Sequence, residues 1–210
     1  IDNDSGNKIL EIVSYNDMQS KTKKTDILSS INDQIVFISD HGFGLIDSKF
    51  AKNICEKSAY IALNIQCNPE NRGVNSIKKY DKANHCCMSG HELDLDIRTK
   101  NELVKNSINE FSKLIDCINL TVTNGKNGTQ HISRNKKQIL TPAFANKVQD
   151  RVGAVDVVFA ISSLLVKAGA SWDIVGLMSN SMSYGSAPAF LEDPDLLTAQ
   201  CERLHNFVRL

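Results

Sequence analysis

Two short apolar runs separated by an amphipathic segment constrain the fold of this chain most strongly. The first run covers residues 35–38 and ends at Ser39 and Asp40, and the second covers residues 60–65. Continuous apolar runs of this length are typical of strands that are buried on both faces. The segment between them, residues 46–59, has the apolar spacing of a helix that covers one face of a sheet.

The same alternation of strand and helix continues along the chain. Further strands are predicted at residues 83–88 and 119–123, and further helices at residues 101–116, 155–168 and 172–183. Alternating elements of this length favour a parallel sheet with helices on both faces. We therefore expect a three-layer α/β/α fold with a mainly parallel sheet, formed by one domain over residues 1–210.

Charge and cysteine content indicate which kinds of partner and which cellular compartment to expect. Lys and Arg total 24 and Asp and Glu total 24, so a nucleic-acid partner is not expected. The longest apolar stretch, residues 152–172, contains Asp156 and Lys167, which disfavours a membrane span. Six cysteines without regular spacing, and a polar first ten residues, favour a cytoplasmic protein.

His85, Cys86, Cys87 and His91 suggest a zinc site as one alternative. Adjacent residues of a strand point to opposite faces, so Cys86 and Cys87 would not readily share one ion. Buried thiols in a protein core are the favoured interpretation.

Polar clusters follow the predicted strands, where ligands of open α/β sheets bind. The most informative cluster is residues 150–156, in which Gly153 and Ala154 precede a predicted helix that has Asp156 in its first turn. Backbone N–H groups at a helix N-terminus attract anions. An aspartate in that turn is suited to accept the proton of a hydroxyl that attacks a phosphoryl group. An ordinary acidic first-turn residue beside a tight turn is the alternative.

The segment 148–156 resembles the Gly-Ala-Gly-Asp signature of PfkB-type carbohydrate kinases, which have the ribokinase-like fold. Residues 122–128 are similar to the Thr-x-Gly-x-x-Gly nucleotide turn of that family, and Glu92 matches the Glu of its Asn-x-x-Glu motif. Residues 64–75 look like a branch of the family associated with nucleotidyltransferase-like domains.

The resemblance implies ATP-dependent phosphoryl transfer to a sugar or sugar-phosphate hydroxyl. Asp156 would be the general base, and the amides of Gly153, Ala154 and Val155 would stabilise the transferring phosphoryl group. Glu92 would help to place Mg²⁺. The resemblance also implies a nucleotide site at Thr123, Gly125, Gly128 and Asn180, and an acceptor side at Asp40, Asn64, Asn68 and Arg72, although a lone loop arginine is equally typical of a surface charge.

Three departures from the family pattern define an alternative function. Val155 replaces the second glycine of the signature, which would cost about 1–3 kcal/mol if the backbone there had a positive φ. Ser89 stands where the family often has Asn or Asp, and the N-terminal portion with its lid is expected to be absent. The alternatives are a degenerate kinase-like module that binds nucleotide or a partner chain, or an unrelated nucleotide-binding α/β protein. An exposed sheet edge would favour a homodimer.

Overall fold

The computed structural model describes residues 23–66, 75–97, 110–134, 138–143 and 153–183. Six strands in these ranges form one sheet, and they lie side by side in the order in which they occur along the chain. The strands are β1 (Ile35–Asp40), β2 (Tyr60–Ile65), β3 (Lys82–Ser89), β4 (Asp116–Thr123), β5 (Thr129–Ser133) and β6 (Gln138–Thr141).

The first four strands run parallel to one another, and the last two form an antiparallel meander at one side of the sheet. Register pairs Asp40 with Ile65 at the carboxyl ends of β1 and β2, and Ser89 with Thr123 at the carboxyl ends of β3 and β4. Thr123 in turn pairs with Thr129 across the turn between β4 and β5. The mainly parallel sheet predicted from the sequence is confirmed.

Five α-helices in the described residues surround the sheet. They are α1 (Lys24–Ser30), α2 (Ser48–Lys57), α3 (Gly90–Ile97), α4 (Ala154–Lys167) and α5 (Trp172–Ser183). Side chains of α2 and α3 join one core cluster with the strands, whereas α4 joins a separate cluster. Two helical layers therefore enclose the sheet, which confirms the three-layer α/β/α prediction.

The larger core lies between the sheet and the α2 layer. Asp47 caps α2 by accepting a hydrogen bond from the Phe50 amide at 2.7 Å, and Phe50 and Ile54 are buried against Ile61 and Leu63 of β2. Every residue of β2 is buried, as the uninterrupted apolar run predicted. Removal of this apolar surface from water is the main driving force for assembly of the layers.

The core on the opposite face is smaller and more polar. Tyr60, Ala62 and Cys87 of the sheet contact Val158 and Phe159 of α4. Cys86 belongs to the α2 side, so the two adjacent cysteines lie on opposite faces of β3, as strand geometry predicts. In the described residues no group of three or more metal-ligating side chains is present.

Sequence patterns located most of these elements but missed the helix α3 and the meander of β5 and β6. The predicted helix 172–183 is found with the same bounds, and the helices predicted at 46–59 and 155–168 are found within about two residues of their predicted ends. Of the helix predicted at 101–116, only residues 110–116 are described, and Glu110 and Phe111 are helical. Within the described ranges, no helix is both long enough and apolar enough to cross a bilayer.

We expect the substitution Thr141→Val to preserve or increase stability. Thr141 Oγ1 is buried without a hydrogen-bond partner among the described residues, and an unpaired buried hydroxyl costs about 1–3 kcal/mol. Equilibrium denaturation by urea measures the change in the free energy of unfolding. The matched control is Thr129→Val, which removes a hydroxyl 2.9 Å from His131 Nε2 and should lower that free energy by about 1 kcal/mol or more. Equal destabilisation by both substitutions would contradict this assignment.

Candidate functional site

The carboxyl ends of the parallel strands and the first turn of α4 form the candidate site. Gly153 is the N-cap of α4 and has φ +84°, in the left-handed region that favours glycine. The Val157 amide donates to the Gly153 carbonyl at 3.0 Å. The amides of Ala154 and Val155 precede this first intrahelical bond, so the helix itself supplies no acceptor for them. Such amides are suited to bind an anion.

Val155 lies within the regular helix. The one non-glycine residue with a positive φ in the described ranges is Asp33, so the backbone of Val155 carries no left-handed strain. A valine in this position is therefore compatible with the helical backbone that the first turn of α4 has here. The backbone cost considered for this departure from the family does not arise.

Asp156 projects from the first turn of α4 and is exposed to solvent. Its Oδ1 accepts a hydrogen bond of 2.6 Å from the side-chain amide of Gln66, the residue that follows β2. The same amide lies 3.4 Å from the hydroxyl of Ser39, near the end of β1. This arrangement holds the carboxylate at the edge of the sheet and leaves it accessible to solvent.

Cys87 is a buried thiol near both Glu92 and Asp156. It is buried at the end of β3, and burial raises the pKa of its thiol. The nearby charges of Glu92 and Asp156 raise that pKa further, while a hydrogen bond with Ser162 opposes the rise. Both carboxylates therefore lie close enough to this thiol to affect its pKa.

Glu92 and Ser89 form a capping box at the junction of β3 and α3. Glu92 Oε2 accepts hydrogen bonds of 2.8 Å from the Ser89 amide and from the Ser89 hydroxyl, and the Glu92 amide donates to Ser89 Oγ at 3.2 Å. These reciprocal bonds stabilise the start of the helix. A single carboxylate suits Mg²⁺, which commonly takes one or two carboxylates together with substrate phosphates and water.

The turn between β4 and β5 contains the glycines assigned to the nucleotide site. Gly125–Asn127 is one turn of 3₁₀ helix, and the Asn124 amide donates to the Gly128 carbonyl at 2.8 Å. A Cβ on Gly90 would lie 2.7 Å from Asn124 Oδ1, so the Ser89–Glu92 capping box and this turn are in close contact. The turn therefore lies beside Glu92.

Asp40 lies beneath the site and has partners on each side-chain oxygen. It is 4% exposed, its Oδ2 accepts a 2.8 Å hydrogen bond from Tyr80 and forms an ion pair with Lys79, and its Oδ1 accepts from the Gly42 amide at 3.0 Å. A buried carboxylate with these partners stabilises the turn after β1. Its contacts favour a supporting role over direct contact with an acceptor.

Asn64 and Asn180 are also buried and bonded to backbone carbonyls. Asn64 donates to the Cys87 carbonyl at 2.9 Å, which joins β2 to β3. Asn180 donates to the carbonyls of Thr141 and Pro142 at 3.1 and 3.0 Å, which joins α5 to the end of β6. Asn68 and Arg72 lie outside the described residues.

The residue pair that sequence reasoning missed is Ser39 and Gln66. Both lie at predicted strand ends, but the sequence did not predict that Gln66 contacts both Ser39 and Asp156. Gln66 and Asp156 are 90 positions apart in sequence, and their contact follows from the parallel register and the return of α4 to the sheet. The available signal was the position of Gln66 directly after a buried strand, where ligand-facing residues of α/β sheets lie.

Solved structures of sugar kinases share this fold. Phosphofructokinase-2 from Escherichia coli, in its tetrameric inhibited form, matches 88% of this chain and 60% of its own with a TM-score of 0.66 and 13% identity. Arabidopsis thaliana ribokinase, complexed with ribose and ATP, matches 81% of this chain and 55% of its own with a TM-score of 0.61 and 16% identity. The chain therefore has a ribokinase-like fold, as the sequence resemblance predicted.

Curated relatives support the same fold assignment over part of their length. The bifunctional protein HldE of Rhodopseudomonas palustris (strain BisB18) is 23% identical over 150 residues, which are 70% of this chain and 30% of that protein. The HldE of Bradyrhizobium diazoefficiens is 35% identical over 72 residues, 34% of this chain and 15% of that protein. No family model matches the chain. The chain spans 30% or less of the length of these curated relatives and a little over half of the solved kinases.

We expect Gly128→Ala to disrupt the turn and Gly125→Ala to perturb it much less. A Cβ on Gly128 would lie 2.0 Å from the Thr141 carbonyl oxygen, at φ +85° and ψ −145°, a conformation essentially restricted to glycine. Gly125 has φ +53° and no atom within 4 Å of the added Cβ. Thermal unfolding should show a loss of about 3 kcal/mol or more for Gly128→Ala and about 1 kcal/mol for Gly125→Ala. Equal losses would contradict the close backbone approach at Gly128.

Proposed function

We propose that this chain forms the phosphate- and nucleotide-binding part of an ATP-dependent carbohydrate kinase. The observation that carries this proposal is the first turn of α4. It combines an N-cap glycine, backbone amides that precede the helical ladder, and an exposed Asp156 held by Gln66. The ribokinase-like fold and the kinase identity of the solved neighbours support it.

In this proposal a sugar hydroxyl attacks the γ-phosphorus of ATP while Asp156 accepts its proton. A bond forms between the sugar oxygen and phosphorus, and the bond from phosphorus to the bridging oxygen of ADP breaks. Donation by Gln66 to Oδ1 orients the carboxylate so that Oδ2 faces the acceptor. The amides at the start of α4 stabilise the charge on the transferring phosphoryl group.

Glu92 and the turn at 123–128 are the proposed nucleotide side. Mg²⁺ supplies neutralisation of phosphate charge when bound, and Glu92 is the carboxylate suited to hold it, directly or through water. Thr123 and Gly125 line the approach to the phosphates, and Gly128 allows β5 to leave the turn against Thr141. Asn180 supports this region from below through its bonds to the end of β6.

A kinase-like module that binds nucleotide without turnover is the second candidate. The observation that favours it is the capping box, which engages Glu92 Oε2 with two hydrogen bonds from Ser89. If Glu92 only caps the helix and does not bind Mg²⁺, the nucleotide would be bound by the turns at 123–128 and 153–156 alone. Binding and turnover measurements separate the two candidates.

We expect Asp156→Asn to abolish catalysis while nucleotide binding is retained. Loss of a general base typically lowers kcat by about 10²- to 10⁴-fold, and asparagine keeps the size and one acceptor of the side chain. Sugar-dependent ADP release from magnesium-ATP, with a panel of pentoses, hexoses and their phosphates, measures kcat. Titration calorimetry measures the affinity for magnesium-ATP.

The matched control is Asp173→Asn, which removes an exposed aspartate from the first turn of the neighbouring helix α5. It should leave kcat and affinity at the parent values. Equal kcat values for Asp156→Asn and the parent would dismiss Asp156 as the base. Binding of magnesium-ATP by the parent without ADP release for any acceptor would select the second candidate, and no binding at millimolar concentration would reject both.

A further inference from the structure

A continuous chain of buried hydrogen bonds crosses the sheet beneath α4. Ser163 Oγ lies 2.9 Å from His85 Nδ1, and His85 Nε2 lies 2.9 Å from Thr121 Oγ1. Thr121 Oγ1 lies 3.0 Å from His131 Nδ1, and His131 Nε2 lies 2.9 Å from Thr129 Oγ1. The chain thus joins one helix to three adjacent strands through both nitrogens of both imidazoles.

Both histidines are fully buried and neutral near pH 7. Burial, with a smaller contribution from His131, lowers the pKa of His85 to about 3. Burial also lowers the pKa of His131 to about 4. A neutral imidazole has one N–H donor and one acceptor nitrogen, so each ring donates one bond of the chain and accepts the other.

The hydroxyl of Thr121 couples the two rings. The hydroxyl has one hydrogen, so it can donate to only one imidazole. When that hydrogen is used between the two rings, the Thr121 oxygen donates to one ring and accepts from the other. In the two resulting arrangements all four bonds point the same way, and the tautomers of His85 and His131 change together. Removal of this hydroxyl leaves a buried nitrogen of each ring without its partner.

The two ends of this row of hydrogen bonds, Ser163 and Thr129, lie on elements of the candidate site. Ser163 lies two turns after Asp156 along α4, and Thr129 directly follows Gly128 of the turn assigned to the nucleotide. The His131 ring also stacks on Trp172 of α5, with ring centroids 5.5 Å apart. The hydrogen bonds therefore connect the helix that carries the proposed base with the strand that leaves the nucleotide turn.

We propose that His85, Thr121 and His131 are positioning residues that fix α4, and with it Asp156, relative to the turn at 123–128. The inference rests on the function proposed above for Asp156 and for that turn. None of the three side chains reaches the surface, so each acts through the elements it joins. Among the described residues the buried apolar cluster on this face has five members, and the oriented hydrogen bonds supply the fixed geometry.

The central experiment compares Thr121→Val with Thr121→Ser. Valine keeps the branched shape and removes the hydroxyl, whereas serine keeps the hydroxyl and removes the methyl group. Thr141→Val is the control, since it removes a buried hydroxyl that has no partner among the described residues. Hydrogen exchange of amides 157–160, which follow the start of the intrahelical bonds of α4, and of amides 128–131 is measured by NMR, together with kcat and the KM for ATP.

Thr121→Val should increase exchange at both groups of amides at least tenfold and lower kcat by about 10- to 100-fold, with KM for ATP within about threefold of the parent. Thr121→Ser should restore parent behaviour, and Thr141→Val should retain it. Exchange in Thr121→Val at the parent rates would overturn the proposal. A serine variant as impaired as the valine variant would also overturn it, because the methyl group would then be the cause.

Nitrogen-15 spectra of the imidazoles provide a readout that bulk stability does not change. The parent should show His85 and His131 as neutral rings in matching tautomers. The substitution Ser163→Ala, which removes only the hydrogen bond to His85 Nδ1, should shift the His85 signals. Independent tautomers in the parent would overturn the coupling. If the parent does not bind magnesium-ATP, the proposed function is wrong. The exchange and tautomer results still decide whether these hydrogen bonds position α4.

Discussion

Parallel pairing of β1 to β4 is the constraint on which the rest of the structure depends. It brings four strand exits, at Ser39, Gln66, Ser89 and Thr123, to one edge of the sheet. The bond from Gln66 to Asp156 closes this arrangement by joining the end of β2 to the start of α4. The candidate site is a consequence of strand order and of one long-range side-chain contact.

Buried polar groups give this edge its fixed shape. Asp40 is paired with Tyr80 and Lys79, and Asn64 bridges β2 and β3 through the Cys87 carbonyl. Buried polar groups are stable only when hydrogen-bonded, and then they specify one arrangement more strictly than apolar contacts do. These bonds hold the turn after β1 and the ends of β2 and β3 in one arrangement.

Sequence patterns predicted the strands and helices whose apolar periodicity is strong. The meander of β5 and β6 was missed because Thr129, Gln130 and His131 are polar, and their burial depends on partners elsewhere in the fold. The capping box of Ser89 and Glu92 is a local three-residue spacing that the sequence itself contains. The position of Gln66 directly after a buried strand marks it as a site residue, but its pairing with Asp156 depends on register and on the path of α4.

The most direct test of the central claim is the response of individual backbone amides to phosphate-bearing ligand. A titration with magnesium-ATP, followed by proton–nitrogen NMR of the whole chain, reports on each amide of the described turns. The account predicts saturable shifts concentrated at residues 153–156 and 123–128, with α2 unaffected. Saturable shifts confined to other surfaces, with the α4 turn unchanged, would contradict the assignment of that turn as a phosphate site.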